Sequence, residues 1–146
     1  MRKLICCIIA ICTLLSVTGC QYALDRKKNK YYEIYQDESN YFTFTGEITE
    51  IVTNVGYVGP HVKIDCGDLL DHISDEEYKH VYFSISSDQP LDLDIGDTIV
   101  FVTIPKHIQI SDCLPIVAVE KDGEILLSLE DGKQNLFDWV EQLQLK

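Results

Sequence analysis

The sequence predicts an all-β, mainly antiparallel domain: a small barrel or sandwich of five or six strands, closed on one side by a C-terminal helix. Three observations carry that expectation. Apolar and polar residues alternate in successive short runs from Tyr41 onward, at the period of two that a half-buried strand imposes. Clusters of Gly, Pro, Asn and Asp separate the runs. Helical patterning is scarce, limited to one short acidic stretch and the C-terminus. The chain has 146 residues, 46% hydrophobic and 25% charged, which suits one small domain and is too apolar for a disordered chain.

The first run spans Tyr41 to Thr53, with Phe42, Phe44 and Ile48 on one face and Thr43, Thr45 and Glu47 on the other. Gly46 in its interior predicts a bulge or sharp bend. Asn54 to Pro60 holds two glycines and a proline and reads as a turn. Val62, Ile64 and Cys66 then alternate with His61, Lys63 and Asp65, and Val81, Phe83 and Ile85 with Tyr82, Ser84 and Ser86. Between these two strands, Ser74 followed by Asp75, Glu76 and Glu77 predicts a capped helical turn over 74–79. Thr98 to Ile104 is apolar on both faces, the pattern of a central strand, and Pro105 ends it because proline has no N–H for the ladder. Ile116 to Glu120 and Glu124 to Leu129 flank Lys121-Asp122-Gly123 and form a hairpin. Leu136, Val140 and Leu143, with Phe137 and Trp139, predict a final helix capped by Asn135 after an Asp131-Gly132 turn.

Upstream of the domain the composition changes. Residues 1–20 hold four of the six cysteines, two basic groups and no acid. Met1-Arg2-Lys3 precedes fourteen uncharged residues, Leu4 to Val17. Fourteen fall short of the roughly 20 that cross a bilayer, so the segment reads as a secretory signal. Val17-Thr18-Gly19-Cys20 resembles the lipobox of bacterial lipoproteins. That resemblance implies a diacylglyceryl group on the Cys20 sulfur, cleavage between Gly19 and Cys20, and a cell-membrane protein on the extracytoplasmic face. A plain signal peptide or an uncleaved anchor is the alternative. The expected organisation is a signal peptide over 1–19, a lipid-anchored tether over 20–40 and the β domain over 41–146. Fully extended, such a tether reaches roughly 65–70 Å.

Charge follows the same division. Without residues 1–19 the chain has ten basic and twenty-four acidic groups, a formal charge of −14. Residues 21–40 sum to zero, with Arg26, Lys27, Lys28 and Lys30 close behind Cys20, so the excess sits in 41–146. An acidic domain repels phosphate backbones, which excludes nucleic acid as a partner.

The long first strand, the meander after it and the run Leu93-Asp94-Ile95-Gly96-Asp97-Thr98-Ile99-Val100-Phe101 together resemble an OB-fold, over roughly Tyr41 to Leu129. The connection from Ser86 to Asp97 is too short for the helix that usually joins the third and fourth OB strands, so an SH3-like barrel or a sandwich stays open. No residue role is carried over from a fold that hosts so many activities.

Chemistry-bearing residues are few. Cys66 and Cys113 are a candidate disulfide, closing a ring of about 48 residues worth roughly 4 kcal/mol of chain entropy. Two free thiols are the rival reading. Asp65, Asp68, Asp71, Asp75, Glu76 and Glu77, with His61, His72 and His80 nearby, lack the spacing of a calcium loop or a zinc motif, and no metal site is assigned. No nucleophile elbow or phosphate-cradling loop occurs, and no catalytic residue is assigned. Tyr31, Tyr32, Tyr35 and Tyr41 cluster between tether and domain, either as a contact surface or as rings that pack the tether down. Tyr57 and Tyr82 fall outside the main apolar set. The expectation is a non-enzymatic binding module for an envelope protein, peptide or glycan, held to the membrane by the lipid and without other cofactor. An accessory subunit of a membrane complex, and then a hydrolase, are the alternatives.

Overall fold

The computed structural model describes residues 21–52 and 60–143. Among these residues six strands form one sheet: β1 (Phe42–Val52), β2 (His61–Asp65), β3 (Tyr82–Ile85), β4 (Thr98–Thr103), β5 (Cys113–Lys121) and β6 (Glu124–Leu127). Their order is β3-β2-β1-β4-β5-β6, and a further pairing of β3 with β5 closes the first five into a barrel. The sheet is mixed. Every pair is antiparallel except β3–β5, which is parallel over Tyr82–Ile85 and Cys113–Ile116. Five of the six pairings are antiparallel, in keeping with a mainly antiparallel sheet, and β6 stands outside the closed barrel as a sixth strand.

The barrel interior follows the alternation in the sequence. Phe44, Ile48, Val62, Ile64, Phe83, Ile85, Ile99, Phe101, Leu114, Ile116 and Val119 are all buried there. In β4, Ile99, Phe101 and Thr103 point inward, while Val100 stays exposed and only Val102 is covered from outside. The strand is therefore doubly buried at its C-terminal end alone. In β1 the ladder slips between Ile48 and Glu50, which leaves Thr49 as the extra residue. Gly46, where the irregularity was expected, instead permits a close crossing: a Cβ there would sit 2.4 Å from Ile64 Cγ2 and 2.7 Å from the Asp65 carbonyl oxygen.

Among the described residues, three α-helices accompany the sheet: α1 over residues 21–35, α2 (Asp75–His80) and α3 (Leu129–Gln142). Helix α2 begins with a reciprocal capping box. Ser74 Oγ accepts from the Glu77 N–H, and the Glu77 carboxylate accepts from the Ser74 N–H. Helix α3 starts six residues before the expected Asn135 cap, with Ser128 as its N-cap. Gly132, expected as a turn, lies within the helix because only glycine fits there. A Cβ would come within 2.0 Å of the Val117 carbonyl oxygen. Val117 is itself the extra residue of a bulge in β5, since Val102 pairs with Ala118 and Thr103 with Ile116.

Residues 21–35 are helical rather than an extended tether. The side chains Tyr31, Ile34 and Tyr35 are buried in a second core with Ile104, Val117, Leu136 and Val140, between the outer wall of β4–β5 and α3. The packed unit thus begins before residue 41, at the last two turns of α1.

Candidate functional site

Two surfaces concentrate polar chemistry. The first is the seat of α1. Buried and partly buried positions recur at Leu24, Lys28, Tyr31, Tyr32 and Tyr35, the spacing of one helical face. Tyr35 lies flat on the His107 ring, 5.6 Å between centroids and 9° from parallel, and its hydroxyl is 2.7 Å from His107 Nδ1. Burial pushes the Tyr35 hydroxyl far up and draws the His107 imidazole down to about 4, so both are neutral at pH 7. Tyr31 meets Trp139 edge to face at 5.2 Å, and Tyr32 stacks on Phe137 at 5.8 Å. Glu141 on α3 accepts from the Tyr32 hydroxyl and pairs with Lys28 at 3.5 Å. The Tyr32 hydroxyl and the Lys28 ammonium hold its carboxyl below the usual range. Tyr41 donates to the Tyr35 carbonyl at 2.7 Å, and burial pushes its own hydroxyl up to about 12. Of the two readings of this tyrosine cluster, packing is what the structure shows for Tyr31 and Tyr35.

The second surface is the outer wall of β1–β2–β3. Glu50 stands opposite Lys63 in the β1–β2 ladder, with Lys63 Nζ 3.7 Å from the Glu50 carboxylate. The same ammonium lies over the Tyr82 ring on β3, 4.7 Å from its centroid. Lys63 and Tyr82 face outward by strand parity and Glu50 does so because of the bulge at Thr49, and neither α1 nor α3 packs on them. His61 opposite Ser84 is buried at the edge of this wall, which lowers its imidazole pKa. Of the row, only Tyr82 was singled out in the sequence. Lys63 was legible as an outward residue of its strand, but alternation puts Glu50 on the inward face with Phe44 and Ile48, and only the bulge at Thr49 turns it out. Tyr57 and nearly all of the Asn54–Pro60 turn lie outside the described residues.

The remaining candidates disperse. Cys66 is buried in the barrel core, and its backbone N–H meets the Tyr78 hydroxyl at 2.6 Å. Cys113 stands opposite Tyr82 at the parallel seam. Both thiols are free, so the expected disulfide is corrected. The cause is topology: β3 lies between them, and two inter-strand steps amount to about 10 Å, beyond the Cα separation of about 7 Å that a disulfide tolerates. Burial raises both thiols, Cys113 to about 12. In the acidic stretch, Asp68 and Asp71 lie in a 3-10 turn, while Asp75, Glu76 and Glu77 form the first turn of α2, where the helix dipole favours acids. His72 lies against Phe42 at 4.2 Å. Among the described residues, no three of His, Cys, Asp and Glu gather as metal ligands.

Gly19 and Cys20 lie outside the described residues, immediately before α1. No described helix is long and apolar enough to cross a membrane. Compared with family models, curated proteins and solved structures, the chain matches none.

Proposed function

We propose that the protein is a membrane-anchored bacterial lipoprotein on the extracytoplasmic face, whose OB-type barrel is a non-enzymatic binding module for an envelope protein, peptide or glycan. Its only prosthetic group is the diacylglyceryl lipid on Cys20, and nucleic acid is not a ligand. The Val17-Thr18-Gly19-Cys20 motif after a short apolar run supports the anchor. The cyclic strand order β1-β2-β3-β5-β4, closed by the parallel β3–β5 seam, supports the OB assignment. So does the Gly96-Asp97 turn, where Gly96 takes φ +95° and donates to the Ile48 carbonyl at 2.8 Å before β4 begins.

The observation that carries the binding reading is the Glu50–Lys63–Tyr82 row. Both long helices pack on the β4–β5 side, and the β2–β3 wall, where OB barrels hold ligands, keeps an aromatic face beside an amine and a carboxylate. A tyrosine gives contact area at low entropy cost, and the flanking charges supply donors and acceptors. A photocrosslinking residue replacing Tyr82, in the full-length protein in its own envelope, is expected to give a reproducible adduct. That adduct disappears when Glu50→Ala and Lys63→Ala accompany it, and a crosslinker replacing Ile125 on β6 gives none. No adduct at position 82, or the same adducts from both positions, refutes the binding surface. For the anchor, Cys20→Ser is expected to release the protein from membranes or leave it unprocessed, and unchanged fractionation and processing refutes lipidation.

A further inference from the structure

Helix α1 is bound to the barrel along one face and bare along the other. Tyr31, Ile34 and Tyr35 are buried, while Tyr22, Arg26, Lys27, Asn29 and Lys30 are exposed, Tyr22 at 72%. Residues 21–30 hold four basic groups and one acid, Asp25, which accepts from Gln21 at 2.9 Å. Lys28 is engaged by Glu141, so Arg26, Lys27 and Lys30 are the cations this helix offers outward, with Glu33 as the one acid beyond them on the exposed side. Among the described residues after 40, three of the five lysines are in ion pairs, Lys63 with Glu50, Lys121 with Asp97 and Lys133 with Glu38, which leaves Lys79 and Lys106 apart from one another.

We propose that the bare face of α1, built from Tyr22, Arg26, Lys27 and Lys30, docks on an anionic lipid headgroup layer and so lays the barrel on the membrane with its β4–β5 wall inward and its Glu50–Lys63–Tyr82 wall outward. The inference rests on the lipid anchor proposed above. Two observations choose this occupant. The chain reaches α1 directly from Cys20, so the helix starts at the headgroups, and the basic patch is complementary to anionic lipid while the rest of the domain is repelled by it. Tyrosine is at home in that boundary layer, with an apolar ring and a wet hydroxyl. A flat helix is required. Standing upright, α1 would carry Lys30 about 15 Å from Cys20 at 1.5 Å per residue, beyond the Debye length of about 8 Å at physiological salt. Lying flat, it brings Arg26, Lys27 and Lys30 into the layer together. Because α1 is fixed to the barrel by Tyr35, His107 and Glu141, its contact with the lipid sets the attitude of the whole domain.

The test is amine footprinting of the full-length acylated protein. The protein is reconstituted in vesicles of phosphatidylcholine alone and in vesicles with phosphatidylglycerol added, acetylated briefly and read by mass spectrometry. On the anionic vesicles, labelling of Lys27 and Lys30 is expected to fall at least threefold together, while Lys63 and Lys79 change by less than half as much. Unprotected Lys30, or protection of Lys63 instead, overturns the orientation. Protection of Lys27 and Lys30 in the native envelope but not on anionic vesicles overturns it in favour of a protein partner. Intact mass of the same sample separates docking from anchoring. Acylated protein with unprotected lysines defeats the docking alone, and protein without acyl mass defeats the anchor and this inference with it.

Discussion

Phe44, Phe83 and Phe101 meet inside the barrel through ring contacts alone, at 5.4 and 5.9 Å, whereas Tyr31, Tyr35, His107 and Trp139 on the outer wall combine ring contacts with hydrogen bonds. Both regions are buried, but they are built on different physics. The barrel interior is aliphatic and phenyl surface, whose burial is non-directional and proportional to area. The second core aligns the Tyr35 hydroxyl with one nitrogen of His107 and the Tyr41 hydroxyl with the Tyr35 carbonyl, so it fixes the angle at which α1 lies. One region supplies bulk stability, and the other supplies a defined attitude.

That contrast is open to direct attack because Trp139, the only tryptophan, lies in the second core and reports on it alone. The largest effect is expected inside the barrel. Phe101→Ala removes a fully buried ring and should cost roughly 3–5 kcal/mol, with strand circular dichroism and Trp139 fluorescence lost together in denaturant. Gly132→Ala is expected to cost roughly 2–3 kcal/mol by driving α3 off the Val117 carbonyl. Here Trp139 fluorescence should change at lower denaturant than the strand signal. Coincident transitions would mean that the two cores are one cooperative unit and would end the distinction.

Acid should loosen the second core by a smaller amount. His107 has a folded pKa of about 4 against 6.5 when exposed, so between those values the unfolded chain holds a proton that the folded one refuses. The stability from neutral His107 is complete above pH 6.5 and declines as pH falls toward 4, by about 2 kcal/mol at pH 5. Stability curves for wild type and His107→Gln should differ in slope by close to one proton over that window. Equal slopes would show that His107 titrates normally and is not sealed beneath Tyr31 and Tyr35.

The barrel was the more legible region. Alternation placed β1, β2 and β3, a continuous apolar run placed β4, the Asp122-Gly123 turn placed the β5–β6 hairpin, and the Ser74 cap with its acidic first turn placed α2, because each of these patterns is settled locally. What escaped the sequence depends on contacts distant along the chain. The expected strand began only at Ile116, yet Cys113 to Ile116 form the parallel seam, where the Thr103 hydroxyl donates to the Pro115 carbonyl at 2.7 Å. Gly132 read as a turn because its helix propensity is poor, and the close approach to Val117 overrides that preference. In α1, charges at Arg26, Lys27 and Lys30 masked a buried stripe in which Lys28 fills one position. The row Glu50–Lys63–Tyr82 needed the strand register, and the Tyr35–His107 pair joins residues 72 apart.

The link between α1 and β1 is exposed at residues 36–39, while the helix behind it is clamped by aromatic rings on two sides. A protease nick in that link would therefore sever the backbone without parting α1 from the barrel. The two fragments would stay mated, as a key stays in a turned lock, until something prised Tyr31 and Tyr35 out of their seat.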